Sequence, residues 1–285
     1  MTRTREPAKL TVAAPVEVRY GAVLVPLDGS ELAEHALNPA QRLADRFGAE
    51  LHVVAADVQR DEAWWYQGYV DRLHERVGAL TPHVTDERTV GRAIVARARQ
   101  LEPCLVCMAT HGRSRSAAIV GSTFAEVASR NTAPLVAVGP RAALGDETSE
   151  PPDHLVVCLD GSPTAERALP LAAAWARRLG WRISIVTAVD PVLLPREYGF
   201  DPDAYLRDVA RRPDFEDLAV DTHILWGIAY PHISIGQHLD QHPADLMVVT
   251  THARTGFALA ALGSEAARII HRSPVPVLVQ PVPTR

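Results

Sequence analysis

The chain has 285 residues, 47% of them hydrophobic and 22% charged, an ordinary globular composition that excludes disordered and fibrous classes. With 29 basic against 34 acidic residues its formal net charge is −5, which argues against a nucleic-acid binder that works by neutralising phosphates. At roughly 150 residues per domain the length corresponds to about two domains.

Three cysteines are too few for a disulfide framework and fit a reducing compartment. The longest apolar run, residues 168–176 with Pro170 inside it, is shorter than the roughly 18–20 residues that span a bilayer. No apolar segment follows the charged N-terminus in the manner of a secretory signal. A cytoplasmic protein with no membrane and no nucleic-acid partner is expected.

Residues 1–17 read as an N-terminal tail. Residues 22–27 form a short β-rich run that ends at Asp28. A helix is expected next, because Leu32, Ala33, Ala36, Leu37, Ala40 and Leu43 recur with a helical period. A second strand is predicted over residues 51–56, a helix over 69–80, a third strand ending near Val90 and a helix over 93–101. A fourth strand follows over 105–109, a helix from Ser122 to Ser129, and a fifth strand over 135–138. Cys104 and Cys107 sit in or beside the fourth strand. Alternate strand residues point to opposite faces, so two cysteines three apart cannot share a metal. Residues 140–153, rich in Gly, Pro and acids, read as a linker.

Beyond the linker the pattern repeats. DGSELAEHAL from Asp28 returns as DGSPTAERAL from Asp160, with seven of ten positions identical. Asp57 corresponds to Asp190, Gly91 to Gly227, Thr110-His111-Gly112 to Thr251-His252-Ala253, and Gly121-Ser122 to Gly263-Ser264. Strands are predicted over 155–159, 182–189, 222–225, 246–249 and 277–279. Apolar strands that alternate with helices imply parallel sheets covered on both faces. The expected fold is α/β: two tandem open doubly wound parallel-sheet domains of five strands, at 18–139 and 154–285. The two are expected to join edge to edge through their final strands. In such sheets ligands sit at the carboxyl ends of the strands, where the repeated polar residues cluster. A Gly-Ser pair opening a helix offers free N–H groups to a phosphate.

These marks together (the DGS after a strand, the THG-R-S loop, the later Gly-Ser and the closing apolar strand) resemble the universal stress protein family in its tandem form. The resemblance implies a non-catalytic stress-response or signalling module that binds an adenine nucleotide, ATP with or without Mg, and acts on a protein partner. It also implies that two-domain chains can pair as homodimers. It implies that Asp28 and Asp160 contact the nucleoside end and that Ala55 and Ala188 touch adenine. The phosphates fall to the loop G-x-x-G-x9-G-[S/T], which maps onto Ala109, Gly112, Gly121 and Ser122, and onto Thr250, Ala253, Gly263 and Ser264. His111 and His252 stand beside those loops.

Both loops depart from the pattern. Ala109 replaces the first glycine in one half, and only eight residues separate Gly112 from Gly121. Thr250 and Ala253 replace two glycines in the other, although the nine-residue spacing to Gly263 is kept. The alternative reading is therefore an interaction module of the same fold that binds no nucleotide. Ser30 and Ser162 read as helix caps and not as nucleophiles. His238 and His242 share a helix face, but Leu239 stands where a zinc protease needs Glu. The aromatic groups Trp64-Trp65-Tyr66 with Tyr69, and Tyr198 and Phe200 with Tyr205, read as lid or inter-domain surfaces.

Overall fold

The computed structural model describes residues 17–55, 63–84, 89–112, 120–131, 133–142, 152–191, 200–227, 230–251 and 263–281. The first half runs β1 (Ala22–Leu27), α1 (Glu31–Glu34), α2 (Leu37–Phe47), β2 (Glu50–Ala55), α3 (Ala63–Val77), β3 (Thr81–Val84), α4 (Val90–Gln100), β4 (Cys104–Ala109), α5 (Ser122–Arg130) and β5 (Leu135–Val138). The second half runs β6 (His154–Leu159), a 3-10 turn (Ala165–Ala168), α6 (Leu169–Leu179), β7 (Arg182–Val189), α7 (Pro202–Ala210), β8 (Val220–Trp226), α8 (Pro231–Gln241), β9 (Leu246–Thr251), α9 (Ser264–Arg272) and β10 (Val277–Pro281). No helix among the described residues is long and apolar enough to cross a membrane.

Two expectations need correction. The helix after β1 is broken into α1 and α2. Pro39 lacks an N–H and its ring crowds the carbonyl four residues back, at His35, so the chain restarts its helix beyond that point. Pro170 stands likewise at the second position of α6, behind the 3-10 turn. Val90 opens α4 and does not end a strand, since β3 stops at Val84 in the described segment. Trp64, Trp65 and Tyr66 lie on α3, with their side chains outside the described residues.

The ten strands form one sheet in the order β3-β2-β1-β4-β5-β10-β9-β6-β7-β8. Pairing is parallel throughout each half. It is antiparallel where β5 meets β10, with Val277, Leu278 and Val279 opposite Ala137, Val136 and Leu135. The halves thus join through their final strands, as the sequence suggests.

Strand side chains alternate between two apolar layers that run the length of the sheet. Leu105, Cys107, Val136 and Leu278 enter the layer under α2, α3, α6 and α7. Cys104, Val106, Leu135 and Val277 enter the layer under α4, α5, α8 and α9. The two cysteines therefore face opposite sides. Burial pushes the Cys104 thiol up to about 12 and raises that of Cys107 too, which leaves both inert.

On the first of these layers an aromatic triad ties the halves together. Trp175 of α6 is fully buried and meets Phe47 edge-on at 4.9 Å and Tyr20 at 5.8 Å, while Tyr20 and Phe47 lie 5.0 Å apart. Arg178 stands over the Phe47 ring and donates to the Phe47 carbonyl at 3.2 Å. Arg46 pairs with Asp153 at 2.6 Å. Behind the other layer, Arg141 grips both carboxylate oxygens of Asp240 at 2.7 Å. The sequence assigned inter-domain packing to other aromatics; Tyr20, Phe47 and Trp175 do that work in the structure. Trp175→Ala is expected to lower the unfolding free energy by about 3–5 kcal/mol, read as a shift of the urea midpoint. Both halves should lose stability together, because the cavity opens on the layer they share.

Candidate functional site

The repeated DGS is a turn and a helix cap. After β1, Gly29 takes φ 76, a left-handed conformation that glycine adopts without strain. Asp28 Oδ1 accepts from the Ser30 N–H at 3.0 Å and from the Ser30 hydroxyl at 2.5 Å. Ser30 Oγ accepts from the Ala33 N–H at 3.2 Å and so caps α1. The second half repeats the device. Gly161 takes φ 80, Asp160 accepts from the Ser162 N–H at 2.9 Å, and Ser162 Oγ accepts from the Ala165 N–H at 3.1 Å. Both serines are used as caps.

The sheet order places these turns at the switch points. β1 lies between β2 and β4, and β6 lies between β7 and β9; there the strand order reverses and a crevice opens at the carboxyl ends. Asp28 follows β1, and Ala55 and Ala109 end their strands, at the first crevice, with Thr110, His111 and Gly112 next to them and Gly121-Ser122 at the start of α5. Asp160, Ala188 and Thr250 stand at the second crevice, with Gly263-Ser264 at the start of α9. His252 and Ala253 lie outside the described residues.

The two crevices differ. In the first, Gly112 packs so closely on Asp28 that a Cβ there would overlap Asp28 Oδ2. The acid and the loop glycine touch each other. The Gly121 N–H donates to the Thr110 carbonyl at 2.7 Å, and Gly121 has φ −71. One of the amides expected to face a phosphate is thus taken by the protein itself. Ala55 is buried. His111 Nδ1 lies 3.0 Å from the Thr110 hydroxyl, and its ring stands 5.8 Å from that of His271 on α9. Between α1 and the ends of β4 and β5 lies a shallow hollow, with Leu32, His35, His111 and Gly139 among its walls.

In the second crevice Asp160 is exposed and Ala188 is half-buried. Gly263 keeps a left-handed φ of 79 as it enters α9. Phe200 lies over the DGS turn, 3.0 Å from where a Cβ on Gly161 would stand, and its ring packs on Tyr205 at 5.5 Å. The aromatic pair was visible in the sequence, but its seat on Gly161 was not. Glu265 in the first turn of α9 would repel an anion, but it accepts from His232 Nδ1 at 2.8 Å, from the His232 N–H at 3.1 Å and from Arg268 at 3.4 Å. Its charge is answered by those neighbours.

The model of the universal stress protein family matches residues 19–139 and, a second time, residues 152–281. The chain belongs to the universal stress protein family. It carries two such domains in tandem, on the α/β fold that its motifs suggest. A universal stress protein from Archaeoglobus fulgidus superposes with a TM-score of 0.63 at 19% identity, over 92% of this chain and 98% of its own. A putative universal stress protein from Pseudomonas aeruginosa superposes with a TM-score of 0.59 at 18% identity, over 91% and 92%. At these identities the likeness is one of fold. No curated protein matches the chain.

For this universal stress protein the cap assignment makes a direct prediction. Ser30→Ala and Ser162→Ala should each cost about 1 kcal/mol of stability, measured by urea denaturation, with the folded spectrum otherwise unchanged.

Proposed function

We propose that this universal stress protein is a non-catalytic module that binds an adenine nucleotide in its second half and passes that state to a protein partner. The ligand is ATP, with or without Mg. One observation carries the choice of half: the second crevice leaves its acid exposed and its strand-two alanine half-buried, whereas the first buries Ala55 and presses Asp28 against Gly112. In this reading Asp160 accepts from the ribose hydroxyls and Ala188 lies against the base. Gly263 and Ser264 receive the phosphates at the positive end of the nine-residue helix α9. Thr250 and Ala253 stand where glycines would allow a closer approach, so affinity is modest.

The first half supports the second reading, an interaction module. Its Gly121 amide is already bonded and its acid is in contact with the loop glycine, so little is left to hold a phosphate. Titration of the full chain with Mg-ATP should give saturable heat at a stoichiometry of one. Gly263→Ala forces a left-handed alanine, at about 1–2 kcal/mol, and should weaken binding about tenfold. Asp160→Ala should weaken it as well, and Asp28→Ala should leave it unchanged. Absence of heat at millimolar ATP would overturn the nucleotide reading and leave the interaction module.

A further inference from the structure

The second half holds a group of imidazoles that nucleotide binding does not use. His238 of α8 is buried, and among the described residues its Nε2 has no hydrogen-bond partner. Its ring stacks on that of His242 at 4.3 Å, with 19° between the planes. His223 of β8 lies 4.9 Å from His238 and 5.7 Å from His242. His154 at the start of β6 has Nε2 2.8 Å from Ser184 Oγ and Nδ1 2.9 Å from the Pro243 carbonyl. A carbonyl only accepts, so Nδ1 carries the proton there. A stacked pair, His238 and His242, and the tilted ring of His223 thus form a contact between the end of α8 and the outermost strand. Among the described residues no group of His, Cys, Asp and Glu is placed to hold a metal ion.

The charged groups around the stack are engaged elsewhere. Asp221 of β8 and Arg182 of β7 act on His154 with opposite signs. Asp245 accepts from the His154 N–H at 2.9 Å. On α9, Glu265 faces His232. Arg141 faces Asp240 on α8. Among the described residues no carboxylate pairs with His223, His238 or His242.

The first half shows how the same contact is otherwise made. Strand register equates His52 with Ser184 and His83 with His223. Counting back from β4 and β9, aligned through their pairing to β1 and β6, equates Arg97 with His238. In the first half the Arg97 guanidinium rests on His83, whose Nε2 lies 2.9 Å from His52 Nδ1. Arg97 is charged at every pH. The second half replaces that fixed cation with a side chain that titrates.

We propose that the α8–β8 edge is an acid-operated latch, closed while its clustered imidazoles are neutral and opened when they take up protons. Opening would free β8 from the sheet edge and uncover the apolar side of α8, where Ile235 and Leu239 are buried. Burial first, then the neighbouring rings, holds His238 at about 4, below the ordinary 6.5. The folded edge therefore favours the neutral ring. Its stability is fully present above the ordinary value and falls as the pH drops from 6.5 towards 4.

The test is hydrogen exchange of the full chain at about pH 7 and about pH 5, corrected for intrinsic rates and read peptide by peptide. For one histidine with these two values the opening constant should rise about 20-fold between pH 7 and pH 5. Peptides of α8 and β8 should lose protection by that factor relative to peptides of β5 and β10. His238→Leu and His238→Gln should each abolish most of the difference. Equal protection of the edge and the seam at both pH values would overturn the latch. So would a loss that persists in a folded His238 variant. If neither variant folds, the comparison within the unaltered protein decides alone.

Discussion

Everything else in the molecule hangs on the pairing of β5 with β10. Both strands are apolar on both faces, with Leu135, Val136, Ala137 and Val138 buried against Val277, Leu278 and Val279. A half on its own would present one of these strands as a bare sheet edge, a template for unwanted pairing. Joined, they turn two five-stranded sheets into one and let both apolar layers run without a break across the boundary. The triad of Tyr20, Phe47 and Trp175 then joins α2 to α6 across the boundary. The duplication is thus structural before it is functional: each half completes the other's edge.

Within that frame the halves have been free to differ. Both keep the Asp-Gly-Ser turn, because it fixes where a helix begins whatever the crevice beside it holds. The loop after the fourth strand carries no such duty. In the first half it is one residue shorter, and the Gly121 amide turns inward to the Thr110 carbonyl. In the second half the full spacing survives and Gly263 keeps a conformation that other residues resist. The asymmetry follows from what each segment must do for folding.

Much of this was legible in the sequence. The strand positions apart from the end of the third, the serine caps, the opposed cysteines and the joining edge follow from local periodicity or from the repeat. What was not legible depends on contacts between distant segments. The break between α1 and α2 lay hidden because Ala36 and Leu37 continue an apolar stripe across it, while Pro39 acts on the carbonyl of His35. The seat of Phe200 on Gly161 and the touch of Asp28 on Gly112 join residues 39 and 84 positions apart. His238 and His242 could be paired from their spacing, but nothing local says that His223 and His154 arrive from other strands. Nor does any local signal place Arg97 where His238 stands, since that equivalence needs the strand register.

The antiparallel seam has a consequence for reach. Because β5 and β10 run antiparallel, the carboxyl ends of one parallel set lie along the same edge of the sheet as the amino ends of the other. The two crevices therefore belong to opposite edges. Anything that couples them has to cross the seam, the triad of Tyr20, Phe47 and Trp175, or the pairs Arg46–Asp153 and Arg141–Asp240.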